Sequence, residues 1–248
     1  MKQLHTYLFF ISLLISGTIL SQETETNISA RDTLPPSEKY GLRVGTDIAR
    51  LIRTAVNEDY SGFEINADYR VYRNYYLAAE IGNESLLRGE TNIEVEGSGS
   101  YIRFGIDYNT YKNWYGMQNN IYAGLRYGFS AFDQNLNNYN IFTGTDYFGS
   151  SENSRNEMIE VKDLTAGWVE LVLGLKVEIL NNLYLGASVS LRGIVNEKDP
   201  IGLDNDGNTI RFENLFIPGY GRTNDFSQFG VGYTYTISYL IPFVKRKR

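Results

Sequence analysis

The residues that could do chemistry in this chain are defined first by two absences. It has no cysteine, and its single histidine, His5, lies in an apolar N-terminal stretch. Ser–His, Cys–His and histidine-activated water mechanisms are therefore excluded from the rest of the chain. Zinc, copper and haem lose their usual ligands, so no cofactor is expected. Carboxylates remain as acid–base candidates. Arg43, Asp47, Glu64, Asp68, Arg70, Glu80, Arg103, Asp107, Arg126, Glu170, Lys176, Glu178 and Arg192 fall at alternate positions, interleaved with Gly and Ser. Six are positive and seven negative, which suits a self-neutralising ion-pair network better than a catalytic pair. The chain is expected not to be an enzyme. Asp204-Asn205-Asp206-Gly207-Asn208 has the oxygen-rich look of a calcium loop. A calcium loop wants a bidentate Glu at its twelfth position, which here is Leu215, so a hairpin turn is the better reading.

Those charges need a scaffold that points every second residue the same way. A period of two runs through eight segments, at 40–49, 62–72, 75–83, 100–109, 119–131, 167–179, 183–194 and 228–243. In the sixth, Val169, Leu171, Leu173, Leu175 and Val177 oppose Glu170, Gly174, Lys176 and Glu178. Each run suffices for a tilted strand across a bilayer, which takes about 9–11 residues. Connections alternate between short turns, Arg73-Asn74 and Asn181-Asn182 among them, and longer segments at 50–61, 84–99, 132–166 and 195–227. Short turns on one side and long loops on the other match outer-membrane barrels. Tyr40, Tyr69, Tyr75, Tyr108, Phe129 and Tyr239 stand at the extremities of the apolar face, as an aromatic girdle does. The predicted fold is all-β, an eight-stranded antiparallel up-and-down transmembrane β-barrel. Its interior should be just wide enough for side chains to fill it.

The ends read differently. Residues 1–21 resemble a secretory signal peptide, with Lys2, an apolar run over 7–15 and a small-residue exit. Residues 22–39 are polar, lack periodicity and read as a flexible periplasmic leader. The barrel is expected over 40–244, followed by a basic tail at 245–248. No apolar run long enough for a helical span follows residue 22. A net charge of −6, without a basic patch outside the tail, makes nucleic acid an unexpected partner. Outer-membrane lipid is the expected surroundings, and an envelope protein complex is a candidate partner.

The text GSYIRFGIDYNTYKNWYGMQNNIYAGLRYGFSAFDQNLNNY, with KYGLRVGTDIARLIR before it and YTISYLIPF near the end, resembles an uncharacterised outer-membrane barrel family of the Bacteroidota, a domain of unknown function. It also resembles small PorT-like and OmpA-like barrels. The resemblance implies the outer membrane of a Gram-negative cell and carries over no activity and no site residues. Function is then expected in the outer loops, where Tyr139, Phe142, Tyr147, Phe148, Phe216 and Tyr220 are candidate binding residues. An accessory role in an envelope or secretion machine of the gliding-associated type is the alternative. A lipid-acting enzyme and a small pore rank below both.

Overall fold

The computed structural model describes residues 38–90, 93–111, 118–140, 154–155, 158–203, 207, 209–211, 214–223 and 228–246. The expected signal peptide, most of the leader, Phe142, Tyr147, Phe148 and the acidic residues of the 204–208 loop lie outside them. The barrel strands are β1 (Glu38–Asp47), β2 (Tyr60–Tyr72), β3 (Tyr75–Glu90), β4 (Ile93–Asn109), β5 (Asn120–Asn140), β7 (Ile159–Leu180), β8 (Leu183–Glu197) and β13 (Phe229–Arg246). Between them come α1 (Ile48–Val56), β6 (Ser154–Arg155), β9 (Ile201–Leu203), β10 (Thr209–Arg211), β11 (Phe216–Ile217) and β12 (Gly221–Arg222).

Eight strands form a closed ring in the order β1-β2-β3-β4-β5-β7-β8-β13, and β13 returns to β1. Every neighbouring pair is antiparallel. The period of two survives in the registers. Leu77, Ala79 and Ile81 on β3 stand opposite Ile106, Phe104 and Ile102 on β4, and these side chains face outward. On β7 the exposed apolar face runs from Val169 to Ile179. Ten steps of about 3.3 Å at a tilt of about 40° give a band roughly 25 Å tall.

The strands are longer than their outward apolar faces. β3 and β4 stay paired out to Glu90 and Ile93, so 84–90 and 93–99 of the segment expected as a loop are strand. β5 likewise continues to Asn140, and β7 starts at Ile159. The physical reason is an inversion of polarity, not a loss of alternation. Toward this end of β5 the outward positions become Asp133 and Asn135, while Phe132 and Leu136 turn inward. β4 does the same with Glu94 and Glu96 outside and Val95 inside. On β7, Ile159 and Val161 are buried, and a bulge at Asp163, whose φ is 58°, precedes buried Leu164. These residues form an apolar core with Tyr101, Trp168, Ile217 and Tyr220 inside the loop end of the barrel.

Other boundaries shift too. Residues 38–39, expected in the leader, begin β1, and β13 takes in Lys245 and Arg246 of the expected tail, pairing Glu38 with Arg246. The segment 50–61, expected as a loop after a strand ending at Ala49, holds α1. Asp47 ends β1 and caps the helix, its carboxylate accepting the Ala49 N–H at 2.9 Å. At the turn before β8 only Asn182 takes a positive φ, 67°, whereas a type I′ turn needs two such residues.

Trp168 is fully buried against Gly128 on the facing strand. A Cβ at Gly128 would overlap the indole ring. Gly128→Ala is expected to lower the unfolding free energy by about 1–3 kcal/mol through overpacking, read as a shift in the urea midpoint of the detergent-solubilised chain.

Candidate functional site

The inward face of the ring gathers the predicted charged residues. Arg103 on β4 is the junction. Its guanidinium contacts Glu64 on β2 at 2.5 Å, Glu80 on β3 at 2.6 Å and Glu170 on β7 at 3.5 Å. Tyr101 donates its hydroxyl to Glu64 at 2.5 Å. Arg126 on β5 joins Glu80 to Asp107, the latter at 2.9 Å. Glu170 receives the Trp168 indole N–H at 2.7 Å and meets Arg192 of β8 at 3.1 Å. Salt bridges thus cross the lumen between non-adjacent strands. All of these charged side chains are buried.

A second cluster lies toward the short-turn end. Asp68 accepts from Arg43, whose Nε spans both carboxylate oxygens at 2.9 and 3.1 Å and whose Nη2 donates at 2.8 Å, and also from Lys176. The Arg43 guanidinium lies over the rings of Tyr184 and Tyr76, with its carbon 4.8 and 5.5 Å from their centroids. Arg70 donates to the Arg73 carbonyl and stands over Tyr40 and Tyr76. Glu178 accepts the backbone N–H groups of Gln118 at 3.2 Å and Asn182 at 2.9 Å, tying two short turns together. Asp47 divides its carboxylate between the α1 cap and Arg50, 3.3 Å away.

Two charged members escaped the sequence reading. Arg50 of α1 reaches into the lumen, meeting Glu64 at 3.2 Å and Glu84 at 2.5 Å. Glu84 also accepts the Tyr60 hydroxyl at 2.6 Å and the Gly219 N–H at 2.9 Å. Burying the Arg50 charge is costly, and these two carboxylates together with Asp47 offset that cost. The signal was present in the sequence. Ile48, Leu51, Ile52 and Ala55 recur at helical spacing just after Asp47, a favourable helix cap.

The candidate loop residues divide. Tyr139 lies in β5, not in a loop, and its backbone pairs with Ile93 and Arg155. Phe216 and Tyr220, expected to be exposed, are buried. They belong to a small hairpin, β11 to β12, folded into the barrel mouth, with Pro218, Gly219 and Tyr220 forming its turn. Tyr220 packs edge-on against Trp168, with centroids 5.8 Å apart, and its carbonyl accepts from Arg192 at 2.6 Å. The apolar surface of both rings is removed from water there, which is why they do not form an outer binding face. Burial also pushes the Tyr220 hydroxyl pKa up.

Between α1, this hairpin and β13 lies a cavity of about 510 Å³. Its walls include Asp47, Arg50, Arg53, Glu84, Arg192, Arg222, Val231 and Tyr233. Below the main network, a void of about 20 Å³ is bounded by Asp68, Glu80, Arg126 and Lys176.

The family described as a domain of unknown function, DUF6048, matches residues 4–246. The chain belongs to that family. A search of the curated proteins returns no match. Among solved structures, a major outer membrane protein from Thermus thermophilus is similar at 12% identity, covering 82% of this chain and 98% of that one, with a TM-score of 0.41. The barrel assignment for this DUF6048 member rests on its own strand pairing, not on so distant a likeness.

Arg103 holds three buried carboxylates. Arg103→Met is expected to cost about 3–5 kcal/mol by leaving buried charges uncompensated. Lys162→Ala, which removes an exposed pair with Glu160, is expected to leave stability unchanged. Urea titration of both variants against the parent chain measures the contrast.

Proposed function

We propose that this chain is a non-enzymatic outer-membrane barrel with a closed, salt-bridged lumen, serving envelope structure or binding at its loop end. The observation that carries this reading is the polarity inversion along single strands. Over the lower ring the exterior is apolar and the interior charged. Over the upper part of β4, β5 and β7 the exterior is polar and the interior mainly apolar. A barrel in water throughout would bury its apolar face at every height. A barrel crossing a bilayer and projecting beyond it needs this reversal, because its outer solvent changes from lipid to water.

Closure of the lumen is supported by ring size and by side chains. An eight-stranded ring has room for little beyond its own interior residues. The Arg103 network spans it, and the hairpin bearing Ile217 and Tyr220 fills the mouth above. The lumen carboxylates Glu64, Asp68, Glu80, Asp107 and Glu170 are each engaged by an arginine, which supports a structural role for them. The accessory-subunit alternative stays compatible with this architecture but gains no observation of its own.

The reading makes two measurable claims. The chain should refold into phosphatidylcholine vesicles with heat-modifiable electrophoretic mobility. Leu173→Arg, in the middle of the outer β7 face, should weaken the inserted state by about 2–4 kcal/mol, whereas Glu160→Arg should not. Full tolerance of Leu173→Arg would contradict membrane insertion. In planar bilayers the chain should give no sustained porin-sized conductance, and stable openings of that size would contradict the closed lumen.

A further inference from the structure

The barrel wall is incomplete on one side. β1 pairs with β2 only from Leu42 to Thr46 and leaves β13 at Asp47, opposite Thr236. Tyr60–Glu64 of β2 and Phe229–Tyr235 of β13 therefore face each other with no strand between them. α1 occupies this wedge. Thr54 fastens it to the open edge of β2, donating to the Gly62 carbonyl at 3.0 Å and accepting the Gly62 N–H at 2.8 Å. Leu51, Ile52 and Val56 face outward, beside the exposed apolar side chains of β2 and β13.

The 510 Å³ cavity lies behind this wedge and reaches Val231 and Tyr233, whose side chains are largely exposed on the outer face. Open sheet edges at membrane depth are tolerated where they line a polar cavity. Arg50 and Arg192 in its wall are matched by Glu84 and Glu170. Arg53 and Arg222 have no carboxylate partner among the described residues. Arg53 lies over the Tyr60 ring, 3.7 Å from its centroid, and Arg222 is exposed. The cavity thus joins two guanidinium groups that have no carboxylate partner among the described residues to an apolar outer wall, and its volume is within the usual range for a small-molecule site.

We infer that this wedge is a lateral binding site for an anionic amphiphile, its phosphate or carboxylate head held by Arg53 and Arg222 and its chain leaving over Val231 and Tyr233. The inference rests on the membrane-barrel reading. It names a ligand class that enters from the membrane side, in contrast to a free anion entering from water.

The test uses the full chain in dodecyl maltoside, with native mass spectrometry counting adducts of dodecyl phosphate or inorganic phosphate. One dodecyl phosphate per chain is expected. Occupancy should fall at least about tenfold in Arg53→Ala/Arg222→Ala, consistent with losing two charge-assisted contacts. Arg222→Glu, at an exposed position, should fall similarly even if the double variant folds poorly. Arg73→Ala, at a short turn, should bind as the parent does. Equal binding of inorganic phosphate, or undiminished dodecyl phosphate binding in Arg222→Glu, would overturn the site. Vesicle insertion is measured separately, so a chain that inserts but takes no amphiphile defeats this inference and leaves the barrel reading standing.

Discussion

On β5, Tyr127 and Phe129 face outward, and a few residues further along Asp133 and Asn135 take the same face. Nothing in the backbone requires this change, because the strand continues and its pairing persists. In the membrane barrel proposed above, what changes is the medium outside. Apolar surface is stabilised in lipid and costly in water, by about 25 cal/mol per Å². The remaining architecture follows from that constraint. Where the exterior is apolar, the interior must carry the polar residues, and in a narrow ring those must neutralise one another. Where the exterior meets water, the interior can be an ordinary apolar core, and the chain uses it to anchor a hairpin in the mouth.

The interior network has its shape for the same reason. Buried ions are costly unless paired, and lone pairs and protons beyond the first contact also need partners. Arg103 answers with three carboxylates, Asp68 with two cations, and Glu170 with an indole N–H as well as arginines. Glycine makes room for these long side chains, as at Gly232, where a Cβ would overlap the Arg192 guanidinium. The helix between β1 and β2 takes part by sending Arg50 inward, so this irregular stretch of wall is tied to the same electrostatic centre.

Much of this was legible because β-strands write their faces into alternate residues. The eight strands and most of the inward charges, though not Arg50 or Glu84, came from that period alone. Three features did not, each for a definite reason. Strand extensions such as Phe132–Leu136 keep the period but reverse its polarity, and short apolar stretches interrupted by Gly97 and Gly99 look like loop text. α1 follows β1 without a break, so its first residues were absorbed into a strand. Phe216 and Tyr220 were read as outer-loop aromatics because sequence does not say on which side of a rim a loop folds. The flanking Pro218-Gly219 was the available sign of a tight hairpin.

The central claim, that the same barrel face meets lipid at one height and water at another, is open to direct measurement because the chain has no native cysteine. Single cysteines placed at Leu173 and at Glu160, both outward on β7, can carry an environment-sensitive fluorophore in refolded vesicles. Brominated acyl chains should quench the probe at Leu173 and leave the probe at Glu160 unaffected, with aqueous iodide giving the opposite pattern. Equal quenching of both probes by iodide would contradict the account.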